Sequence, residues 1–262
     1  MSGIAGILSF AGEPVDAGRV RAMTEAVRHR GPDAGDCWFD GAIGLGQRAM
    51  ASTPEALSER QPLHDAGQDL CVVLDGRLDN RDELFRALDI DGRDAMADAT
   101  LLLRAYRAWQ EEVPKKLLGD FAFAIWDGRR KTLFCARDIL GVRPFCYFHG
   151  ARRFVFGSEL RQILIDPEVS HSLNEGVIGE YLAWSITTTH ETLFRDVRRL
   201  PPGHSLAIDA SGQIRVRRYW DVDFGARIRY PAADDYSRHL LELLAECVDC
   251  RLRVRGPLGS HL

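Results

Sequence analysis

The sequence predicts an α+β fold in which two antiparallel sheets pack face to face and helices cover the outside. Three observations predict it. From Asp120 onward the chain reads as hairpins: DFAFAIWD turns at Asp127-Gly128 into KTLFCARD, and PFCYFHG turns at His149-Gly150 into RFVFGS. DFAFAIWD is apolar at both alternating sets of positions, which marks a central strand covered on both faces rather than one facing water. Helical patterns precede these hairpins, and twice-covered strands with amphipathic helices are satisfied by two stacked sheets with helices outside.

In chain order, residues 3–10 read as a strand. Asp16 is placed to cap a helix that carries Val20, Met23 and Val27 on one stripe until Gly31-Pro32 stops it. Short strand-like runs fill Ile43 to Leu74, LCVVL being the clearest. Asn80 and Glu83 have capping-box spacing ahead of DELFRAL, and Leu102, Tyr106 and Trp109 mark the apolar face of the next helix. After the hairpins come short helices at 158–164 and 174–184, then SLAID and IRVRRYW close the domain around Tyr219-Trp220. Tyr236, Leu240, Leu243, Leu244 and Val248 form an apolar stripe on a helix from Asp234 to Arg251, and GPLGSHL begins a strand-like run. That helix has no partner surface in the preceding pattern. The expected division is therefore a domain at 1–220 and, at 221–262, a linker with the first helix and strand of an α/β domain.

Composition excludes several classes. The 262 residues are 45% hydrophobic and 27% charged, enough to bury a large core, and the net charge of -4 gives no basic balance for nucleic acid or an anionic membrane. Arginine-rich runs at 195–199, 215–218 and 251–255 read as solvated faces or ion-pair partners. No stretch reaches membrane-spanning length, and the N-terminus lacks the pattern of a signal peptide, so a cytoplasmic protein is expected. Of the six cysteines only Cys247 and Cys250 are close together, and no second pair completes a metal site.

Eight short motifs occur in an order that carries a resemblance: MSGIAGI at the start, RHRGPDAGD (28–36), LDGRLDN (74–80), GDFAFAIWD (119–127), ARDILGVRPFCY (136–147), FGSE (156–159), LPPGH (200–204) and YWD (219–221). The chain resembles the N-terminal class II glutamine amidotransferase domain of the asparagine synthetase B-like family, followed by the start of an α/β ATP-pyrophosphatase-type synthetase domain. The resemblance implies the αββα sandwich of N-terminal nucleophile hydrolases.

It also implies a chemistry that this sequence departs from. The family's mature N-terminal residue is a cysteine that attacks the glutamine side-chain amide, with its own α-amine as base. Here the position is Ser2, which becomes N-terminal if Met1 is trimmed, and an N-terminal hydroxyl beside an amine remains a feasible nucleophile. The arginine that holds the glutamine α-carboxylate falls at Ala49, with Arg48 one residue away and so on the other face of a strand. The family's NGE reads Asp75-Gly76-Arg77. Asp75 puts a carboxylate where an oxyanion donor belongs, and Arg77 is expected to bring a cation to the ammonium end of the substrate. Asp98 retains the family's ammonium partner, while the glutamate usual two positions later is Thr100.

One lost oxyanion donor costs about 3 kcal/mol of transition-state stabilisation, and the two substrate clamps are altered as well. The sequence thus implies an inactive glutaminase domain in an ATP-dependent amide-forming ligase of the asparagine synthetase type, related to β-lactam or lasso-peptide macrolactam synthetases. The alternatives are a glutamine-hydrolysing asparagine synthetase and a non-catalytic peptide- or protein-binding scaffold. ATP and Mg²⁺ are expected for the full-length protein, with no cofactor in these 262 residues. The expected partners are the remaining synthetase domain and a small amino acid or precursor peptide; a homodimer is compatible with the sequence, and neither nucleic acid nor membrane is expected.

Overall fold

The computed structural model describes residues 1–10, 12–91 and 96–259. Its strands are β1 (Gly3–Ser9), β2 (Ala34–Asp40), β3 (Ile43–Ala49), β4 (Leu63–Asp65), β5 (Leu70–Leu78), β6 (Gly119–Asp127), β7 (Thr132–Arg137), β8 (Cys146–His149), β9 (Arg153–Gly157), β10 (Val197–Arg199), β11 (His204–Asp209) and β12 (Ile214–Arg218). They form two six-stranded sheets in the orders β10-β8-β9-β1-β3-β2 and β12-β11-β7-β6-β5-β4, and the registered pairings are antiparallel. The helices are α1 (Ala17–Glu25), α2 (Arg81–Ala87), α3 (Asp98–Trp109), α4 (Leu160–Ile163), α5 (Glu175–Leu182) and α6 (Ala233–Arg251).

Strand β6 shows why the architecture has four layers. Its Ala122, Ala124 and Trp126 join Ile4, Leu8, Leu45, Phe154 and Phe156 in an apolar layer between the sheets. Its Phe121, Phe123 and Ile125 point the other way, into a second layer with Leu84 and Phe85 of α2 and Leu102 and Tyr106 of α3. A third layer joins Val20 and Met23 of α1 to Ile163 of α4 and to Ala5 and Ile7 of β1. Alternation along a strand thus serves two cores at once, each buried large side chain contributing about 1.5–3 kcal/mol.

Local signals account for some element ends and long-range contacts for others. The Asp16 carboxylate accepts from the Gly18 and Arg19 backbone N–H groups at 2.9 and 3.2 Å and starts α1. Asn80, by contrast, does not cap α2: its side chain donates to the Lys116 carbonyl and accepts from the Leu118 N–H, both at 2.9 Å. It ties the β5–α2 turn to the entry of β6, a contact from 38 residues away that the local spacing does not reveal. Strand β2 grows directly out of the RHRGPDAGD loop. It is an edge strand, mostly exposed or half-buried, so it carries no apolar alternation to announce it.

The RDILG turn after β7 is held by side chains that bind backbone. Arg137 donates to the carbonyls of Gly141, Arg143 and Leu200, while Asp138 accepts from the N–H groups of Leu140, Val142 and Arg143. Each side chain grips backbone, which fixes Arg143 in space. Helix α6 forms over nearly the expected residues and buries none of them. Residues 256–259 form no strand, and the end of the strand expected in GPLGSHL, 260–262, lies outside the described residues. No helix among the described residues is long and apolar enough to cross a membrane.

Gly31, in the loop between α1 and β2, passes so close to β3 that an added Cβ would overlap the Arg48 carbonyl and sit 2.6 Å from the Ala49 nitrogen. Backbone cannot yield as a side chain does. Gly31→Ala is expected to cost about 2–4 kcal/mol in urea unfolding, whereas Gly179→Ala in α5, where nothing lies within 4 Å, is expected to be neutral or stabilising. Equal effects at the two positions would refute this reading of the loop.

Candidate functional site

The N-terminus lies where the two sheets meet the loop after α1. Strand β1 begins at Gly3 between β3 and β9, so Ser2 sits at the sheet end, its Oγ accepting from the Met50 N–H at 3.1 Å. The Met1 amine is held below its usual pKa by partial burial, with Asp75 opposing that shift and Arg143 and Arg30 adding to it.

Behind Ser2 lies a buried ionic cluster. Arg30 donates through Nε to the Ser2 carbonyl at 2.8 Å and through Nη2 to Asp75 Oδ2 at 3.0 Å. Arg143 Nη1 lies 3.6 Å from Asp75 Oδ1. Burial raises the pKa of Asp75, and Arg143 and Arg30 pull against it. Asp75 is therefore committed to two guanidinium groups.

Beside Ser2 is a cavity of about 40 Å³, lined among others by Ser2, Ala49, Glu59, Gln61, Gly76 and Asp98. Among the described residues, the ionisable side chains that line it are the carboxylates of Glu59 and Asp98. Glu59 accepts from the Ala99 N–H at 2.8 Å in the first turn of α3, and from Gln61 at 3.2 Å. Burial pushes its pKa up to about 7 despite these hydrogen bonds. Asp98, at the start of α3, pairs with Arg81 through Oδ1 and accepts through Oδ2 from the Leu78 N–H and from Arg253, both at 3.1 Å.

These features match a known domain. Residues 1–220 match the glutamine amidotransferase domain family. The chain belongs to that family. It is similar to asparagine synthetase [glutamine-hydrolyzing] 3 of Bacillus subtilis (strain 168), 31% identical over 100% of this chain and 43% of that protein. It is also similar to the amidase chyE of Penicillium rubens, 27% identical over 91% of this chain and 35% of the relative. A putative glutamine-hydrolyzing asparagine synthetase 2 of Methanocaldococcus jannaschii is 27% identical over 100% of this chain and 54% of its own length. The chain thus spans about half or less of the curated relatives it matches. In fold it resembles the glutamine phosphoribosylpyrophosphate amidotransferase from B. subtilis complexed with ADP and GMP, with a TM-score of 0.58 at 16% identity, covering 83% of this chain and 49% of that one. This places the amidotransferase domain in the N-terminal nucleophile hydrolase architecture.

Within the amidotransferase domain, Ser2, Ala49, Gly76 and Asp98 line one cavity. Arg48 does not: its Nε donates to the Gly31 carbonyl at 3.0 Å and Nη1 to Glu25 at 3.1 Å, on the α1 side of β3. Asp75 faces the Arg30 and Arg143 cluster instead. Arg77 corrects the sequence expectation. It brings no cation to the ammonium end, because Nε pairs with Asp79 at 2.7 Å and Nη2 donates to the Cys250 carbonyl at the end of α6. Thr100 lines a neighbouring cleft with Ser58 and Met96.

The sequence reading missed Glu59 and Arg253, which act on the cavity through contacts 40 and 155 residues distant. Nothing local distinguishes Glu59 from a surface glutamate. Its environment makes a specific prediction. With the folded pKa near 7 and the unfolded value near 4.5, the native chain binds more protons between these limits. The stability Glu59 contributes in its neutral form is therefore lost as pH rises through that window. Glu59→Gln removes the titration, so its stability relative to the parent should rise by roughly 3 kcal/mol from about pH 4.5 to 7.5. Parallel pH profiles in urea denaturation would contradict the assignment.

Proposed function

We propose that this amidotransferase domain no longer hydrolyses glutamine and that it serves an ATP-dependent amide-forming ligase of the asparagine synthetase type, of the β-lactam or lasso-peptide macrolactam synthetase kind. The observation that carries this reading is the cavity beside Ser2: among the described residues, its lining has two carboxylates and no basic side chain. A bound glutamine presents an α-carboxylate that would meet Ala49 and find no partner, and burying an unpaired charge costs several kcal/mol. Volume supports the same reading, since about 40 Å³ holds a water or two, far less than the roughly 300 Å³ at which ligand pockets begin. Asp75, turned to Arg30 and Arg143 and an acceptor-only group, supplies no donor to a developing oxyanion.

The ligase half of the proposal rests on the asparagine synthetase relatives and on helix α6, whose apolar stripe of Leu240, Leu243, Leu244 and Val248 stays exposed. In this reading α6 opens the synthetase domain, and ATP and Mg²⁺ belong to that domain. An amine supplied by the substrate itself, a small amino acid derivative or a precursor peptide, makes a glutamine-derived ammonia source unnecessary.

Two measurements test this. The 262-residue chain with glutamine is expected to release no ammonia above a denatured control, and Ser2→Cys alone should not restore turnover because Ala49 and Asp75 remain. Saturable glutaminase activity in either form would favour a glutamine-hydrolysing asparagine synthetase instead. The full polypeptide with ATP, Mg²⁺ and substrate should release AMP and pyrophosphate without glutamine; failure to consume ATP would favour a scaffold role.

A further inference from the structure

The segment Cys250–Arg255 lies along the rim of the cavity and is held at four successive points. Arg77 donates to the Cys250 carbonyl. Arg251 makes a two-pronged pair with Asp120, at 2.6 and 2.9 Å, and reaches Asp79 at 3.3 Å. Arg253 donates through Nη1 to Glu55 at 2.9 Å, and through Nη2 to the Leu78 carbonyl at 2.8 Å and Asp98 at 3.1 Å. The Arg255 N–H donates to the Ser52 carbonyl at 2.9 Å.

The Arg253 contacts have the character of a ligand site. Glu55, Leu78 and Asp98 come from three separate parts of the chain, and they engage two different nitrogens of one planar group. A guanidinium meets such an arrangement with two nitrogens of its fixed fork, whereas an ammonium must reach all three acceptors from a single nitrogen. Arg253 and its partners are largely shielded from water, with side-chain exposures of 20% for the arginine against 12% and 7% for Glu55 and Asp98. Burial disfavours its charge, but Asp98 and Glu55 outweigh that and raise its pKa further. With Arg81 on one oxygen and Arg253 and the Leu78 N–H on the other, Asp98 is fully engaged.

We propose that Glu55, Asp98 and the Leu78 carbonyl form a guanidinium-binding site whose occupant is this chain's own Arg253, so that the amine end of the glutamine pocket is now a clasp for the segment leaving the domain. The substitution at position 77 fits the same scheme. Arg77 meets the negative end of the α6 dipole at the Cys250 carbonyl, where a carboxylate would be repelled. The two positions, altered Arg77 and retained Asp98, hold one segment from either end. The guanidinium site stands on these contacts, while its description as the former amine end of a glutamine pocket rests on the proposed function.

The test is chemical rescue in the 262-residue chain. Arg253→Ala removes the cation shared by Glu55 and Asp98, leaving Asp98 to Arg81 alone, and should lower Tm by about 4–10 °C. Millimolar N-propylguanidinium should restore at least half of that loss, n-butylammonium should restore none, and neither should act on the Arg253→Ala/Asp98→Asn double variant. A Tm unchanged by Arg253→Ala, or equal rescue by the two cations, would overturn the proposal. Should Arg253→Ala fail to fold, Arg253→Lys provides the second reading: exchange of the Arg255 amide should accelerate roughly tenfold or more, and an unchanged rate would overturn the clasp. Ammonia release from glutamine, which would refute the functional proposal, leaves these readouts unaffected.

Discussion

The pairing of Arg30 with Asp75 is the constraint on which the rest of the site depends. Asp75 belongs to β5 in one sheet, while Arg30 comes from the loop that leads into β2 in the other. The same guanidinium holds the Ser2 carbonyl and lies 3.5 Å from Glu159 at the start of α4. One side chain thereby fixes the N-terminus, both sheets and a helix end. Asp75 is almost completely buried, so the pair cannot be opened on one side without leaving a charge in an apolar layer, a loss on the order of 3–5 kcal/mol. Arg143, set in place by the backbone grips of Arg137 and Asp138, completes the charge balance around it.

Seen from this cluster, the charged groups around the cavity have definite structural partners. Arg48 braces α1 against the loop through Glu25 and Gly31. Arg77 receives the end of α6. Asp98 anchors Arg81 and Arg253, and Glu59 supplies an acceptor to the otherwise open first turn of α3, where Ala97 offers no side-chain cap. Arg48, Arg77, Asp98 and Glu59 each meet a backbone group, a helix end or an opposite charge that the fold presents.

The sequence by itself determined the layers. The double-sided apolar pattern of GDFAFAIWD, the Asp16 cap and the hairpin turns follow from steric and hydrogen-bonding rules that act over a few residues, and the structure places β6, α1 and β6–β9 accordingly. The alternation of β3 likewise sends neighbouring residues to opposite faces, so Ala49 and Arg48 separate as a one-residue shift requires. What only the tertiary structure decided is the partner of each charged group. Arg77 lies beyond the reach of strand parity because α6 returns from 173 residues away, and its Cys250 carbonyl accepts the Arg77 hydrogen bond. Asn80 leaves its capping role for Leu118, and Glu59 acquires a pKa near 7 from burial that no local pattern encodes. Periodicity specifies which face a residue occupies; burial and long-range electrostatics depend on what the rest of the chain brings to that face.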